Sequence, residues 1–168
     1  RSPHWVRSGR ARREFRRCRI IGNFAGDNGG GIAVGFESSP VFRKCIISGN
    51  GADERGGGVV VAKKSKPEFY NCLISGNSVE DEEGGGGAFM FAGFSDGKLV
   101  NCDICNNFAQ QGGGAFLQEV SSPLFRNVLW KGNHNFEIYE GFYSHPRVSF
   151  CMFDHDSDDF YHDGVFGN

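Results

Sequence analysis

The sequence has little proline and no long hydrophobic run, and each of these absences excludes a class of protein. Proline contributes 5 of 168 residues while glycine contributes 26, which fits neither collagen nor a proline-rich disordered chain. No stretch approaches the roughly 18 uninterrupted apolar residues of a membrane-spanning helix, so no transmembrane segment is expected. The chain does contain 39% apolar residues and 17 phenylalanines, too much core-type surface for disorder. Its length predicts one domain.

The charge is unevenly distributed along the chain. Residues 1–19 hold eight of the 18 lysines and arginines and a single acid, Glu14, whereas the last fifteen residues hold five aspartates and no lysine or arginine. A basic segment binds nucleic acid or anionic lipid, or it is a solvated arm. The arm is the favoured interpretation, because no basic stripe with interleaved aromatic residues continues into the body of the chain. We therefore do not expect nucleic acid to be a partner.

The strongest pattern is an internal repeat, whose unit is about 27 residues. Each unit has one cysteine, an asparagine five residues later, and apolar residues three positions before and two positions after the cysteine. The cysteine column comprises Cys18, Cys45, Cys72, Cys102, Val128 as a replacement, and Cys151, and the asparagine column comprises Asn23, Asn50, Asn77, Asn107, Asn133 and finally Asp156. The apolar columns comprise Phe15, Phe42, Phe69, Leu99, Phe125 and Val148, and Ile20, Ile47, Ile74, Ile104, Trp130 and Phe153.

A glycine run, an alternating strand and a turn precede the cysteine in each early unit. The alternation places Ile32 with Val34, Val59 with Val61, Ala88 with Met90, and Ala115 with Leu117 on one face. The apolar residue and the cysteine have opposite parity, so a corner lies between them, where Lys44, Asn71, Asn101 and Asn127 stand. One unit is thus three short strands that cannot bury their apolar faces alone. The repeat predicts an all-β, right-handed parallel β-helix of about six coils of 23 to 30 residues.

The combination Phe-x-x-Cys-x-Ile-x-Gly-Asn with Gly-Gly-Gly-Ile or Gly-Gly-Gly-Val resembles the pectate-lyase-like right-handed β-helix superfamily. In repeat style it is most similar to bacterial polymorphic outer-membrane and other cell-surface repeat proteins. The likeness covers residues 15–153, with residues 1–14 as a basic arm or cap and 154–168 as an acidic tail or cap. It implies an extracellular or cell-surface location, with an organellar or intracellular assembly as the alternative. Members of the superfamily include enzymes, adhesins and scaffolds, so the likeness leaves the function open.

The repeated residues are interpreted as structural. Parallel stacked cysteines predict a column of free, packed thiols, because a disulfide needs a specific torsion between its side chains. Cys102 and Cys105 form one C-x-x-C whose members fall on opposite strand faces, so Cys105 is expected at the surface and zinc is not expected. The asparagines are expected to hydrogen-bond along the stack. The glycine runs are expected to allow bends that a side chain would obstruct.

Two regions are candidate sites. Clustered carboxylates bind hard cations, so the acidic tail is a candidate calcium site with Asp154, Asp156, Asp158, Asp159 and Asp163 as ligands; otherwise no cofactor is expected. Surface aromatic residues stack on sugar rings, which makes Tyr139, Phe142 and Tyr143 candidate glycan contacts, while the inward Trp130 belongs to the core. No catalytic residue is assigned, because the motifs of the superfamily's polygalacturonases and lyases are missing.

Two functions remain as hypotheses from the sequence. The favoured one is a non-enzymatic structural or interaction module, one part of a longer β-helix or a subunit of a larger assembly. Its expected partner is a protein or a further β-helix chain at the coil ends, where strand edges are unpaired. The alternative is a carbohydrate-active protein, either a polysaccharide lyase-type enzyme or a glycan-binding module, with a polysaccharide as its partner.

Overall fold

The structure, a computed structural model, describes residues 13–141 and 143–153 in full and the backbone of residues 5–6 and 160–162. Every regular element in these residues is a β-strand. The strands are β1 (Trp5–Val6), β2 (Glu14–Arg16), β3 (Arg19–Ile21), β4 (Phe24–Ala25), β5 (Ile32–Val34), β6 (Val41–Arg43), β7 (Ile46–Ser48), β8 (Gly51–Ala52), β9 (Val59–Val61), β10 (Glu68–Tyr70), β11 (Leu73–Ser75), β12 (Ser78–Val79), β13 (Phe89–Phe91), β14 (Lys98–Cys105), β15 (Ala115–Leu117), β16 (Leu124–Lys131), β17 (Ile138–Glu140), β18 (Arg147–Ser149), β19 (Met152–Phe153) and β20 (Phe160–His162).

The strands form a parallel β-solenoid, as the repeat predicts. Each strand pairs in parallel with the equivalent strand one coil later, so Phe15 lies beside Phe42 and Phe42 beside Phe69. The solenoid makes about five turns, close to the predicted six. Sheet one has the order β1-β5-β9-β13-β15-β17-β20, sheet two contains β2-β6-β10-β14-β16-β18 and β3-β7-β11-β14-β16-β19, and sheet three has the order β12-β8-β4. Strands β1 and β20 lie in the predicted arm and tail and pair within sheet one.

The predicted inward columns form one continuous core. Phe42 stacks between Phe15 and Phe69, with ring centroids 4.9 and 4.7 Å away. Val128 lies beside Cys102 in the cysteine column, and Trp130 is fully buried in the isoleucine column, as predicted. Stacking identical side chains in this way removes apolar surface from water in every coil, which no single coil achieves alone.

The predicted corner residues adopt a left-handed backbone. Lys44, Asn71, Asn101 and Asn127 have φ angles of 54°, 52°, 54° and 51°. Asparagine adopts this conformation more readily than most residues, which explains why asparagine occupies three of these four corners. Because a single residue makes the bend, sheet two continues around it, and β14 and β16 each run through their corner as one eight-residue strand.

The structure corrects two details of the repeat. The assignment of Met90 to the same face as Ala88 is wrong in register: Phe89 and Phe91 pair with Val59 and Val61 and belong with Ala88 to the main core, whereas Met90 lies on the other face of the sheet. The longer glycine run of this coil starts earlier, and Ala88 takes the position of the third glycine in the neighbouring coils. The first three coils also have a fourth strand each, β4, β8 and β12, and these strands form a third sheet.

Sheet one is buried on both faces rather than one. Its outward residues Ala33, Val60, Met90 and Phe116 form a second small cluster, each at most 6% exposed. The glycine runs lie over this cluster: a Cβ on Gly29 would sit 2.7 Å from Val60. The sequence pattern missed this cluster, because continuous burial on both faces removes the alternation that marks a half-buried strand.

Candidate functional site

A buried asparagine ladder runs through the stack, as predicted. The side-chain amide of Asn50 donates to Oδ1 of Asn77 at 3.0 Å, and the amide of Asn77 donates to Oδ1 of Asn107 at 2.9 Å. The backbone N–H of each of these residues donates to the same oxygen of the next coil, so each Oδ1 accepts two bonds. The ladder is therefore a one-way chain of hydrogen bonds from Asn23 to Asn133.

The ladder ends on a buried carboxylate that the sequence pattern did not reveal. Glu137 is 5% exposed, and its carboxylate accepts hydrogen bonds from the side chain and the backbone N–H of Asn133. A carboxylate suits this end because it only accepts hydrogen bonds, which is what the final donors require. The repeat pointed to Asp156 as the next member, and Asp156 lies outside the described residues.

A second ladder, of serines, was also missed. Each backbone N–H donates to the hydroxyl of the serine in the next coil at 3.1 to 3.2 Å. Its signal in the sequence is a serine seven residues before every position of the cysteine column from Cys45 onward, which is hidden among other turn residues. The members, all at most 1% exposed, are Ser38, Ser65, Ser95, Ser121 and Ser144.

The cysteines are free thiols that satisfy backbone groups at the corner. The Cys72 thiol lies 3.6 Å from the carbonyl oxygen of Phe42 and 3.4 Å from that of Tyr70. The hydrogen bond with Cys72, together with burial, raises the pKa of Cys102, and burial raises the pKa of Cys45. The same hydrogen bond lowers the pKa of Cys72 to about 7, so the thiols of the column differ in acidity, and the structural role of the column stays a prediction. Cys105 is partly exposed on the outward face of β14.

The glycine runs are required by close backbone approach rather than by bends alone. A Cβ on Gly57 would lie 2.2 Å from the carbonyl oxygen of Ser78, and one on Gly30 would lie 2.1 Å from that of Gly51. A Cβ on Gly58 would also press on the Asn77 side chain of the ladder. The runs thus hold sheet three and the asparagine ladder against sheet one.

The repeated residues make their contacts inside the stack, so a candidate binding site is expected on the surface. One series of turns has an unusual backbone conformation. We call the turn ridge the residues that follow the strands of sheet one in successive coils: 36–37, 63–64, 93–94, 119–120 and Tyr143. All of them have φ angles between 53° and 63°. Only one of the nine is glycine, and Val120, with φ of 61°, is β-branched, the type for which this backbone is a genuine outlier.

The ridge exposes apolar side chains on this strained backbone. Phe36, Phe94, Val120 and Tyr143 are 43%, 58%, 44% and 65% exposed. Each non-glycine residue in this conformation costs on the order of 1 kcal/mol, and Gly93 shows that the turn forms with glycine. Exposed apolar groups held at a cost to folding are typical of a binding surface.

A shallow groove lies along the first three coils of the turn ridge. It has a volume of about 360 Å³ and is lined by Phe36, Glu37, Lys63, Lys64 and Gly93. The Lys63 ammonium lies 4.0 Å from the centroid of the Phe36 ring. The groove combines an aromatic face, two cations and an opening where Gly93 has no side chain, so it suits an anionic or polar group with an apolar body.

The predicted site residues are placed as follows. Tyr143 lies on the ridge, whereas Tyr139 is half-buried and packs edge-on against Phe116, with ring centroids 5.1 Å apart. Phe142 and the predicted calcium ligands Asp154, Asp156, Asp158, Asp159 and Asp163 lie outside the described residues. Within 13–141 and 143–153, no group of three or more His, Cys, Asp or Glu side chains could hold a metal ion. In the same part of the chain, no helix is long and apolar enough to cross a membrane.

Comparison with known families agrees with this architecture. The description "right handed beta helix region" matches residues 5–139, most of the chain, so the protein belongs to this family. The resemblance to the pectate-lyase-like superfamily is consistent with that match, and the closer likeness to cell-surface proteins stays a prediction. Neither a comparison with curated proteins nor one with solved structures found a significant match.

Proposed function

We propose that this protein is a non-enzymatic interaction module, by itself or as one part of a longer β-helix or larger assembly, and that the turn ridge binds its protein partner. The proposal rests on the row of exposed apolar residues on strained backbone, of which Phe94 and Tyr143 are the most exposed. The coil ends remain a second predicted docking surface, and an extracellular location remains a prediction.

The composition of the ridge supports a protein as its partner. Aromatic residues and a valine lie beside both signs of charge, Glu37 and Glu119 with Lys63 and Lys64. Protein interfaces combine a core enriched in aromatic residues with a polar rim, and this arrangement has the same parts. The ridge is also supported on a stacked sheet, so it presents these groups in a fixed geometry.

The test compares two changes that are alike in chemistry and different in place. Phe94→Asn with Tyr143→Asn removes the ridge's apolar groups while placing at both positions a residue that tolerates the left-handed backbone. We expect a tagged double variant to lose, by about tenfold or more, the proteins that the wild type recovers from an extract of its own source, measured by quantitative mass spectrometry.

The control is Phe150→Asn. Phe150 is 80% exposed and has φ of 55°, but it stands at the corner of sheet two. Recovery should be unchanged by this substitution. If the double variant recovers the same proteins as the wild type and the control, the ridge is not the binding surface.

The groove supports a second candidate, an acidic glycan. Phe36 offers a face for a sugar ring, and the Lys63 and Lys64 ammonium groups offer charge for its carboxylates. This is the carbohydrate-binding alternative in its non-catalytic form. Isothermal titration with an acidic polysaccharide tests it: binding that disappears in Lys64→Glu supports a glycan site, and no heat at any concentration rejects it.

A further inference from the structure

The turn ridge consists of two parallel columns with a defined order. The backbone N–H of Glu37 donates to the carbonyl of Lys63, that of Lys64 to Gly93, and that of Phe94 to Glu119, which fixes one step per coil. The first column therefore reads Phe36, Lys63, Gly93, Glu119, and the second reads Glu37, Lys64, Phe94, Val120, Tyr143. Successive members are about 4.8 Å apart along the solenoid axis.

The first column has opposite charges at equal distances from its glycine. Lys63 lies one coil before Gly93, and Glu119 lies one coil after it. A two-fold axis that passes through Gly93 perpendicular to the solenoid axis generates a second copy whose column runs in the opposite direction. Lys63 of each copy then lies opposite Glu119 of the other. Two such pairs form at once, because a two-fold interface repeats every contact.

We propose that the turn ridge docks against the turn ridge of a second copy of this chain, in antiparallel orientation, with Gly93 on the two-fold axis and Lys63 opposite Glu119 of the second copy. This inference rests on the proposed function and names its partner. Gly93 has no side chain, so the two backbones approach closely at the axis. The Glu119 carboxylate, 3.6 Å from the Cβ position of Gly93, already leans over that gap.

The second column fits the same two-fold arrangement. Phe94, 58% exposed, meets Phe94 of the second copy near the axis, where an apolar contact is most protected from water. The aliphatic stem of Lys64 meets Val120 of the second copy, and Glu37 meets the Tyr143 hydroxyl, a donor for its carboxylate. A parallel arrangement would instead place Lys63 opposite Lys63 and Glu119 opposite Glu119.

The size of the surface sets the expected affinity. Five coils span roughly 20 Å, so the ridge is smaller than the roughly 800 Å² per partner of a stable interface. The dimer is therefore weak, with a dissociation constant in the micromolar range or above. Such association is measured on the purified chain by sedimentation velocity over a wide concentration range.

The decisive experiment uses two single charge reversals, Lys63→Glu and Glu119→Lys. Each variant places like charges across the axis, so each should self-associate about tenfold or more weakly than the wild type. An equimolar mixture of the two restores both pairs in trans, and we expect it to form a heterodimer with affinity near that of the wild type. Lys131→Glu, an exposed lysine on β16, is the matched control and should leave association unchanged.

Several results would overturn the inference. A wild type that stays monomeric at millimolar concentration, single reversals without effect, or a mixture that does not recover dimer would each reject antiparallel docking. If circular dichroism shows that a charge variant does not fold, Phe94→Asn replaces it and should also weaken the dimer. A monomeric wild type whose ridge still recovers a different protein from its source extract would reject self-docking and leave the proposed function standing.

Discussion

Replacing Asn77 by alanine is expected to cost about 3 to 5 kcal/mol of folding free energy. The change removes the oxygen that accepts the backbone N–H and the amide of Asn50, and the amide that donates to the Ile47 carbonyl at 3.1 Å. Three polar groups are then left inside the stack without these bonds, each at a cost of roughly 1 to 3 kcal/mol. Urea unfolding followed by circular dichroism measures the loss.

Asn23→Ala is the matched control in the same column. Asn23 is exposed, and the Asn50 oxygen keeps the bond from the Asn23 backbone N–H at 3.0 Å after the change. We therefore expect a loss below about 1 kcal/mol. Equal losses for the two variants would mean that the buried ladder contributes no more than a surface hydrogen bond.

Gly57→Ala is expected to cost about 3 kcal/mol or more, and to prevent folding if the stability of the chain is small. The new Cβ would lie 2.2 Å from the carbonyl oxygen of Ser78 and 2.7 Å from its carbon. To remove this clash, the glycine run must move away from β12, and that movement breaks packing contacts and backbone hydrogen bonds. Thermal unfolding and soluble yield measure the effect.

Gly26→Ala is the control for glycine replacement as such. Its Cβ would meet only an Asp53 carboxylate oxygen at 3.6 Å, and its φ is not in the left-handed region. The stability should change by less than about 0.5 kcal/mol. A similar loss at both positions would show that chain entropy, not close approach, explains the glycine runs.

The fold was predictable because each packing role recurs in every coil. The inward columns, the corner at Asn71 and Asn101, and the buried Trp130 follow from residue type repeated at one position. The register of Phe89 was missed because one glycine run begins early. The outer cluster on sheet one was missed because a strand buried on both faces shows no alternation.

The candidate site was much less predictable. The ridge residues differ in type from coil to coil, so no column signal marks them, and only the backbone angles show what they share. Glu137 occurs once and lies four residues from Asn133, off the period of the repeat. The glycan contacts predicted from exposed aromatics included Tyr143, which lies on the ridge, and Tyr139, which is half-buried against Phe116 in the outer cluster of sheet one. A repeat thus predicts which residues stack, and it carries no signal for surface residues whose type varies from coil to coil.

We propose that the ridge keeps exposed apolar residues on strained backbone for binding rather than for folding. The most direct test is the free energy of unfolding of Phe94→Asn beside that of the wild type. Asparagine relieves the left-handed strain, so the variant should be as stable as the wild type or up to about 1 kcal/mol more stable. A loss greater than about 1 kcal/mol would show that Phe94 stabilises the fold, and would contradict the account.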